Sequence, residues 1–276
     1  MDDTALKFTS CMAENADATC RAIVDYLGRK LELRAEFVDG IAWKEREALL
    51  DAGRIHVCWI CGLPYAWKAD ADSSMIELCA VPVMRGERYA GRPVYFSDVV
   101  VHRESAYASF ADLRGSAWAY NEPRSHSGHN VVLHHLATHG HTAGYFGRVV
   151  ESGAHQASLA MIVNREIDGS AIDSTVLEAE LQRHPELACE IKVVATLGPS
   201  PMPPWVVLKS LPAHMRDAIR AVLLGMHADA EGAAILDGWH IAHFAAASDA
   251  DYDPLRTMAR AAAAARLELP RGRHAG

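Results

Sequence analysis

No apolar run in this 276-residue chain approaches the length that crosses a bilayer, so a membrane-spanning helix and direct membrane insertion are excluded. The N-terminus, Met1-Asp2-Asp3-Thr4, is acidic and lacks the basic and apolar regions of an export signal. As written, the chain is expected to remain in the cytoplasm; a trimmed signal would place it in the periplasm instead. Basic charge is also short. With 27 Lys and Arg against 35 Asp and Glu, the net charge is −8, which argues against nucleic acid as a partner while leaving room for a local basic pocket. Catalytic fingerprints are missing as well: there is no G-x-S-x-G, P-loop, Rossmann glycine pattern or H-E-x-x-H.

Cysteine is sparse, at six residues. Cys58 and Cys61 form a C-x-x-C, a spacing used for redox chemistry or metal. They fall in an apolar stretch, residues 55–61, that reads as a buried strand, where positions three apart face opposite sides. The cysteines are therefore read as packed thiols of a reducing compartment.

What is present is a folded chain. Half of it is apolar and 22% charged, enough for a large core in one big domain or two lobes. Strand-like segments at 6–11, 33–38 and 55–61 alternate with helical spacing at 16–30 and 43–52. That alternation implies an α/β fold with a mostly parallel sheet covered on both faces. Further strands are expected at 75–84, 93–102, 116–120, 145–151, 168–173, 191–197 and 205–208, with 198–204 as a Pro-rich turn. Helices are expected from about 128 to 139 and over 156–164 and 178–184, and residues 213–265 read as largely helical. Two crossing segments, near 93–102 and 191–208, divide the chain. Residues 1–97 plus 200–276 would form one lobe and 98–199 the other, as a clamp hinged at two segments with a cleft between its lobes. Ligands of such sheets bind beyond the carboxyl ends of the strands, which points to Ser10 after the first strand and Tyr65 after the third.

The chemistry converges on residues 120–136, YNEPRSHSGHNVVLHHL. A strand, a tight polar turn and a helix opened by Ser125-His126-Ser127-Gly128 make an anion seat. The first N–H groups of a helix lack internal partners, and the macrodipole adds positive charge there. Ser125 and Ser127 add hydroxyls, and Gly128 lets the backbone come close to a ligand. A serine at this place is equally an ordinary N-cap. On the local pattern the two readings stand level.

Five segments occur in order: Tyr95-Phe96-Ser97-Asp98-Val99-Val100-Val101, Asp112-Leu113-Arg114-Gly115, Ser125-His126-Ser127-Gly128, Ser152-Gly153-Ala154-His155 and Ile172-Asp173-Ser174. Together they resemble the phosphonate/phosphate-binding proteins of ABC importers, which have the type II periplasmic-binding-protein fold. The resemblance covers roughly residues 6–255. It implies a solute-binding protein that holds a phosphonate, phosphate or related oxyanion between two lobes and serves an ABC transporter permease. It also implies roles: Ser125, His126 and Ser127 hold the anion, His155 reaches it, Tyr65 and Tyr95 line the cleft, and Asp173 meets a cationic group of the ligand. His126 departs from the family's threonine-like residue. No cofactor is implied.

Other candidates weigh less. His135 and His139 share a helix face at metal-chelating spacing, but no carboxylate or cysteine joins them, so no metal is expected and solvated surface histidines are the favoured reading. Tyr65 and Tyr95 also fit as core aromatics. The alternative function is a cytosolic enzyme on the same fold, acting on a small phosphorylated or carboxylated metabolite. A serine offering its hydroxyl to an anion needs no activation, and the binding reading is preferred.

Overall fold

The computed structural model describes residues 5–141 and 144–265. The chain runs β1 (Leu6–Ser10), α1 (Asp17–Leu31), β2 (Ala35–Phe37), α2 (Trp43–Asp51), β3 (Val57–Trp59), α3 (Gly62–Ala69) and β4 (Ile76–Met84). It continues through β5 (Val94–His102), β6 (Ala117–Tyr120), a wide helical turn (His126–Asn130) leading into α4 (Val131–Thr138), β7 (Arg148–Glu151), α5 (His155–Val163), β8 (Gly169–Asp173), α6 (Ser174–Arg183) and α7 (Leu187–Glu190). Last come β9 (Ile191–Pro201), β10 (Trp205–Leu208), α8 (Ala213–Gly225), α9 (Ala230–Asp237), β11 (Ile241–Ala245) and α10 (Asp253–Ala264).

These elements form two compact units, residues 1–94 with 201–253 and residues 95–200 with the chain from 254 onward. The chain thus passes between units three times, at 94/95, 200/201 and 253/254, where two crossings were expected. The difference lies in α10. Its Ala262 and Met258 pack on the core of the second unit, so this helix does not stay with the unit that precedes it in sequence.

The first unit holds a six-stranded sheet in the order β11-β4-β10-β3-β1-β2. β1 runs parallel to β2 and β3, whereas β10 is antiparallel to β3 and β4, and β11 is antiparallel to β4. The expectation of a mostly parallel sheet is corrected here: the sheet is mixed. The strand–helix alternation that implies parallel pairing ends at α3, and the later strands return in the opposite direction. β3 is buried at every position, as a strand covered on both faces must be. Two elements depart from the pattern reading. Residues 62–69 form helix α3, because Pro64 falls in a first turn, where its missing N–H costs nothing. Strand β11 interrupts the part read as largely helical.

The cysteines are all free: Cys20, Cys58 and Cys79 are buried, Cys11 and Cys61 partly covered, and Cys189 exposed. The packed-thiol reading therefore holds for three of the six. Cys61 sits just before α3 instead of inside the strand, and Cys58 Sγ approaches Cys11 Sγ at 3.7 Å.

The second unit holds a five-stranded sheet in the order β7-β6-β8-β5-β9. β6 is parallel to β7 and β8, and β5 is antiparallel to β8. Side-chain alternation divides its core between two faces. Val99, Val101, Trp118, Tyr120 and Ala171 face Val131, Val132 and Leu136 of α4. Val100, Ala119 and Ile172 face Leu159 and Ile162 of α5 and Leu177 of α6. β9 extends through Pro201, so Pro199 and Pro201 lie within a strand and not in the expected turn. β9 is the sheet's edge, where a residue lacking an N–H is tolerated.

Candidate functional site

Because β6, β7 and β8 are parallel, their carboxyl ends share one edge of the second unit's sheet, with Tyr120 beside Glu151. Three polar starts leave that edge: the turn at Ser125, α5 at His155 and α6 after Asp173. This is the edge at which parallel α/β sheets take ligands.

Ser125 is extended, with φ −66° and ψ 132°, and the helical turn begins after it. Its Oγ accepts the N–H of Gly128 at 3.1 Å, and its carbonyl accepts the N–H of Asn130, five residues on, at 3.0 Å. Ser125 is therefore an N-cap, and its hydroxyl proton is still available to donate. The wide first turn leaves the N–H groups of His126 and Ser127 without preceding helical carbonyls to accept them. Ser127 Oγ lies 3.5 Å from Ser125 Oγ and 3.0 Å from His155 Nε2.

His155 is brought there by the turn after β7. Gly153 has φ +87°, which favours glycine, and its N–H donates to the Asn121 carbonyl at 2.9 Å. Ser152 N–H donates to the Tyr120 carbonyl at 2.9 Å. The end of β6 thus fixes the start of α5. His155 is only 7% exposed, and burial lowers its pKa to about 4, so the ring is neutral. Its Nδ1 is buried without a hydrogen-bond partner, and so is Asn121 Oδ1.

Gly128 has a different reason from the one its sequence context suggests. A Cβ there would lie 2.0 Å from Asn121 Oδ1 and 3.3 Å from His155 Cε1. The close approach it permits in this structure is that of the Asn121 amide.

The His126 side chain bonds within the protein. Its ring is fully buried; Nδ1 is 3.0 Å from Asn130 Nδ2, and Nε2 is 2.8 Å from Ser200 Oγ. An amide nitrogen only donates, so Nδ1 accepts and Nε2–H donates to Ser200. Burial pushes its pKa down to about 3, consistent with that neutral form. Both ring nitrogens of His126, expected to meet an anion, are thus engaged within the protein, and the ring pins the turn to the end of β9. Tyr95, 1% exposed, packs edge-on to this ring at 6.3 Å between centroids.

Asp173 is buried and caps α6, its Oδ1 accepting from Thr175 N at 2.8 Å and from Thr175 Oγ1 at 2.7 Å. Burial raises its pKa to about 6. Ser10 and Tyr65 belong to the first unit. Ser10 is fully buried and accepts the Met12 N–H at 3.1 Å. Tyr65 lies on α3, donates to Asp249 Oδ1 at 2.7 Å and packs edge-on against Tyr252 at 4.6 Å. Within the second unit the structure brings together Tyr95, Ser125, His126, Ser127, Gly128 and His155, and places Asp173 on the same sheet edge. Asn121, Asn130 and Ser200 join that group without having been selected from the sequence. Asn121 carried a signal, as a polar residue directly after a strand; the other two carried none.

On α4 the rings of His135 and His139 are 4.1 Å apart, and His139 Nδ1 lies 2.8 Å from the His135 carbonyl. Among the described residues no group of three or more His, Cys, Asp or Glu is arranged to hold a metal ion. No described helix is long and apolar enough to cross a membrane.

Comparison with known proteins places these features in context. A family model described as the periplasmic substrate-binding protein of phosphonate ABC transporters matches residues 11–252. A phosphonates-binding periplasmic protein of Escherichia coli is 27% identical over 176 residues, covering 61% of this chain. The match spans 51% of that relative's own length. The structure resembles a binding-protein component of a phosphonate ABC transporter from Pseudomonas aeruginosa, with TM-score 0.83, 18% identity, and 96% and 88% of the two chains covered. It also resembles PhnD1 of Prochlorococcus marinus, solved with methylphosphonate, with TM-score 0.79, 16% identity, and 94% and 98% covered. The fold is that of these two-lobed periplasmic binding proteins.

Proposed function

The chain belongs to the family of periplasmic substrate-binding proteins of phosphonate ABC transporters, and we propose that it binds a phosphonate or closely related oxyanion at the 125–128 turn. The observation that carries this reading is the convergence at one sheet edge of the Ser125 and Ser127 hydroxyls, two first-turn N–H groups and the buried, neutral His155. A tetrahedral oxyanion is stabilised there by hydrogen bonds and the helix dipole, without a cationic side chain. Tyr95 and His126 shape the turn from behind, while Ser125 both caps the helix and faces the ligand. The protein delivers this ligand to the membrane subunits of an ABC transporter.

The test is a calorimetric panel of phosphate, phosphite, methylphosphonate and 2-aminoethylphosphonate on the purified chain. Methylphosphonate, the ligand in the Prochlorococcus relative, is the first probe. Saturable binding of at least one of the four at one site per chain is expected. No heat from any of them, with the chain folded, would refute the reading.

A further inference from the structure

Resting on the reading of the 125–128 turn as an oxyanion seat, we infer that the seat takes oxyanions still carrying one acidic proton, which is donated to Asn121 Oδ1. A census of donors and acceptors leads there. The donors are the first-turn N–H groups and the Ser125 and Ser127 hydroxyls, and all of them suit the unprotonated oxygens of an anion. Beside them lie two buried atoms without a partner: Asn121 Oδ1, which accepts, and His155 Nδ1, whose role follows the tautomer set by the Nε2 bond to Ser127. Both residues crowd the same spot. The position a Cβ of residue 128 would take is 2.0 Å from Asn121 Oδ1 and 3.3 Å from the His155 ring.

An amide oxygen only accepts, and the Asn121 oxygen lies against Gly128 of the helical turn. A buried acceptor at the rim of an anion seat repels a bare oxygen of a dianion and pairs with an oxygen that carries hydrogen. The hydrogen phosphonate monoanion supplies one P–O–H and two unprotonated oxygens, which matches one acceptor among several donors. A sulfonate has the same shape and charge but no proton, and leaves the acceptor empty. Selection then arises from the group left unpaired.

The titratable and charged groups around this spot are His126 and His129 of the helical turn, His155 of α5, Asp173 of β8, and Glu122 and Arg124 of the preceding loop. His126, His129 and His155 are held to about 3, 4 and 4, and Asp173 lies at about 6. These four complete their titration well below alkaline pH, which leaves a clear window for the ligand's own proton.

The experiment is calorimetry of methylphosphonate binding at about pH 9, where the free ligand is the dianion, in two buffers of different ionisation enthalpy. Uptake of about one proton per ligand bound is expected for the unaltered chain, falling towards zero in Asn121→Ala. Methanesulfonate should bind at least about tenfold more weakly than methylphosphonate, with the ratio narrowed in Asn121→Ala. Zero proton uptake by the unaltered chain overturns the inference, and so does a sulfonate bound as tightly as the phosphonate. Neither result needs the variant to fold. If the binding that is seen ignores the double change Ser125→Ala, Ser127→Ala, the seat reading itself has failed and takes this inference with it.

Discussion

Gly128→Ala tests whether the Asn121 amide sits where the structure has it. The added Cβ would lie 2.0 Å from Asn121 Oδ1 and 3.0 Å from Asn121 Cγ, closer than such atoms approach. The Asn121 side chain must therefore leave, and the His155 ring, at 3.3 Å, must give by a few tenths of an ångström. Overpacking of this kind costs about 1–3 kcal/mol. Replacing glycine by alanine in a helical turn returns about 1 kcal/mol through backbone entropy. The clash outweighs that gain, and the net expected loss is up to about 2 kcal/mol in urea unfolding. The second background supplies the control. In Asn121→Ala the obstructing oxygen is gone, so Gly128→Ala should be neutral or stabilising by up to about 1 kcal/mol. A substitution that changes sign with its neighbour is the mark of direct contact. If Gly128→Ala has the same effect in both backgrounds, the packing of Asn121 on the turn is refuted.

Two further predictions concern protons. The pKa of Asp173 rises from 3.8 to about 6 through burial, so the folded chain holds this proton more tightly than the unfolded one. Stability from this group is therefore full below about pH 4, is lost as pH rises through 6, and amounts to about 3 kcal/mol. Asp173→Asn, which keeps a capping side chain, should raise the melting temperature at pH 7 and leave it nearly unchanged at pH 4; equal shifts at both would show that Asp173 does not titrate this way. The histidines run the other way. His126, His129, His135 and His155 fall from 6.5 to about 3, 4, 4 and 4, so stability is lost as pH drops below about 6.5, and His126→Gln should flatten that loss. A melting temperature that climbs between pH 6 and pH 4.5 would contradict it.

Much of the fold was legible because β1, α1, β2, α2 and β3 alternate in the pattern that only a parallel α/β layer satisfies. The helix start at Ser125 was legible for the same kind of reason, since a strand, a short polar turn and a serine-opened helix follow one another there, although that pattern left capping and anion binding level. Legibility ended where tertiary partners decide. Pro64 reads as a breaker, yet a proline in a first turn is harmless, and so α3 was hidden. β11 has only five residues and follows alanine-rich helix, so its alternation was too brief to notice. The direction of the His126 ring could not be read at all: it depends on Asn130 and on Ser200, which is 74 residues away. Whether Ser125 caps or binds is not an alternative after all. Its oxygen accepts from Gly128 while its proton is still available to donate.

The central claim is tested most directly by the affinity of the double variant Ser125→Ala, Ser127→Ala for methylphosphonate, with its melting temperature measured beside it. Hydrogen bonds to a charged group are worth about 1.5–3 kcal/mol each, so losing both hydroxyls should weaken binding by at least about a hundredfold. Loss of the Ser125 cap should also lower stability by about 1 kcal/mol. A variant that melts earlier yet binds with unchanged affinity would contradict the account, because the two serines would then cap a helix and the anion would be held elsewhere.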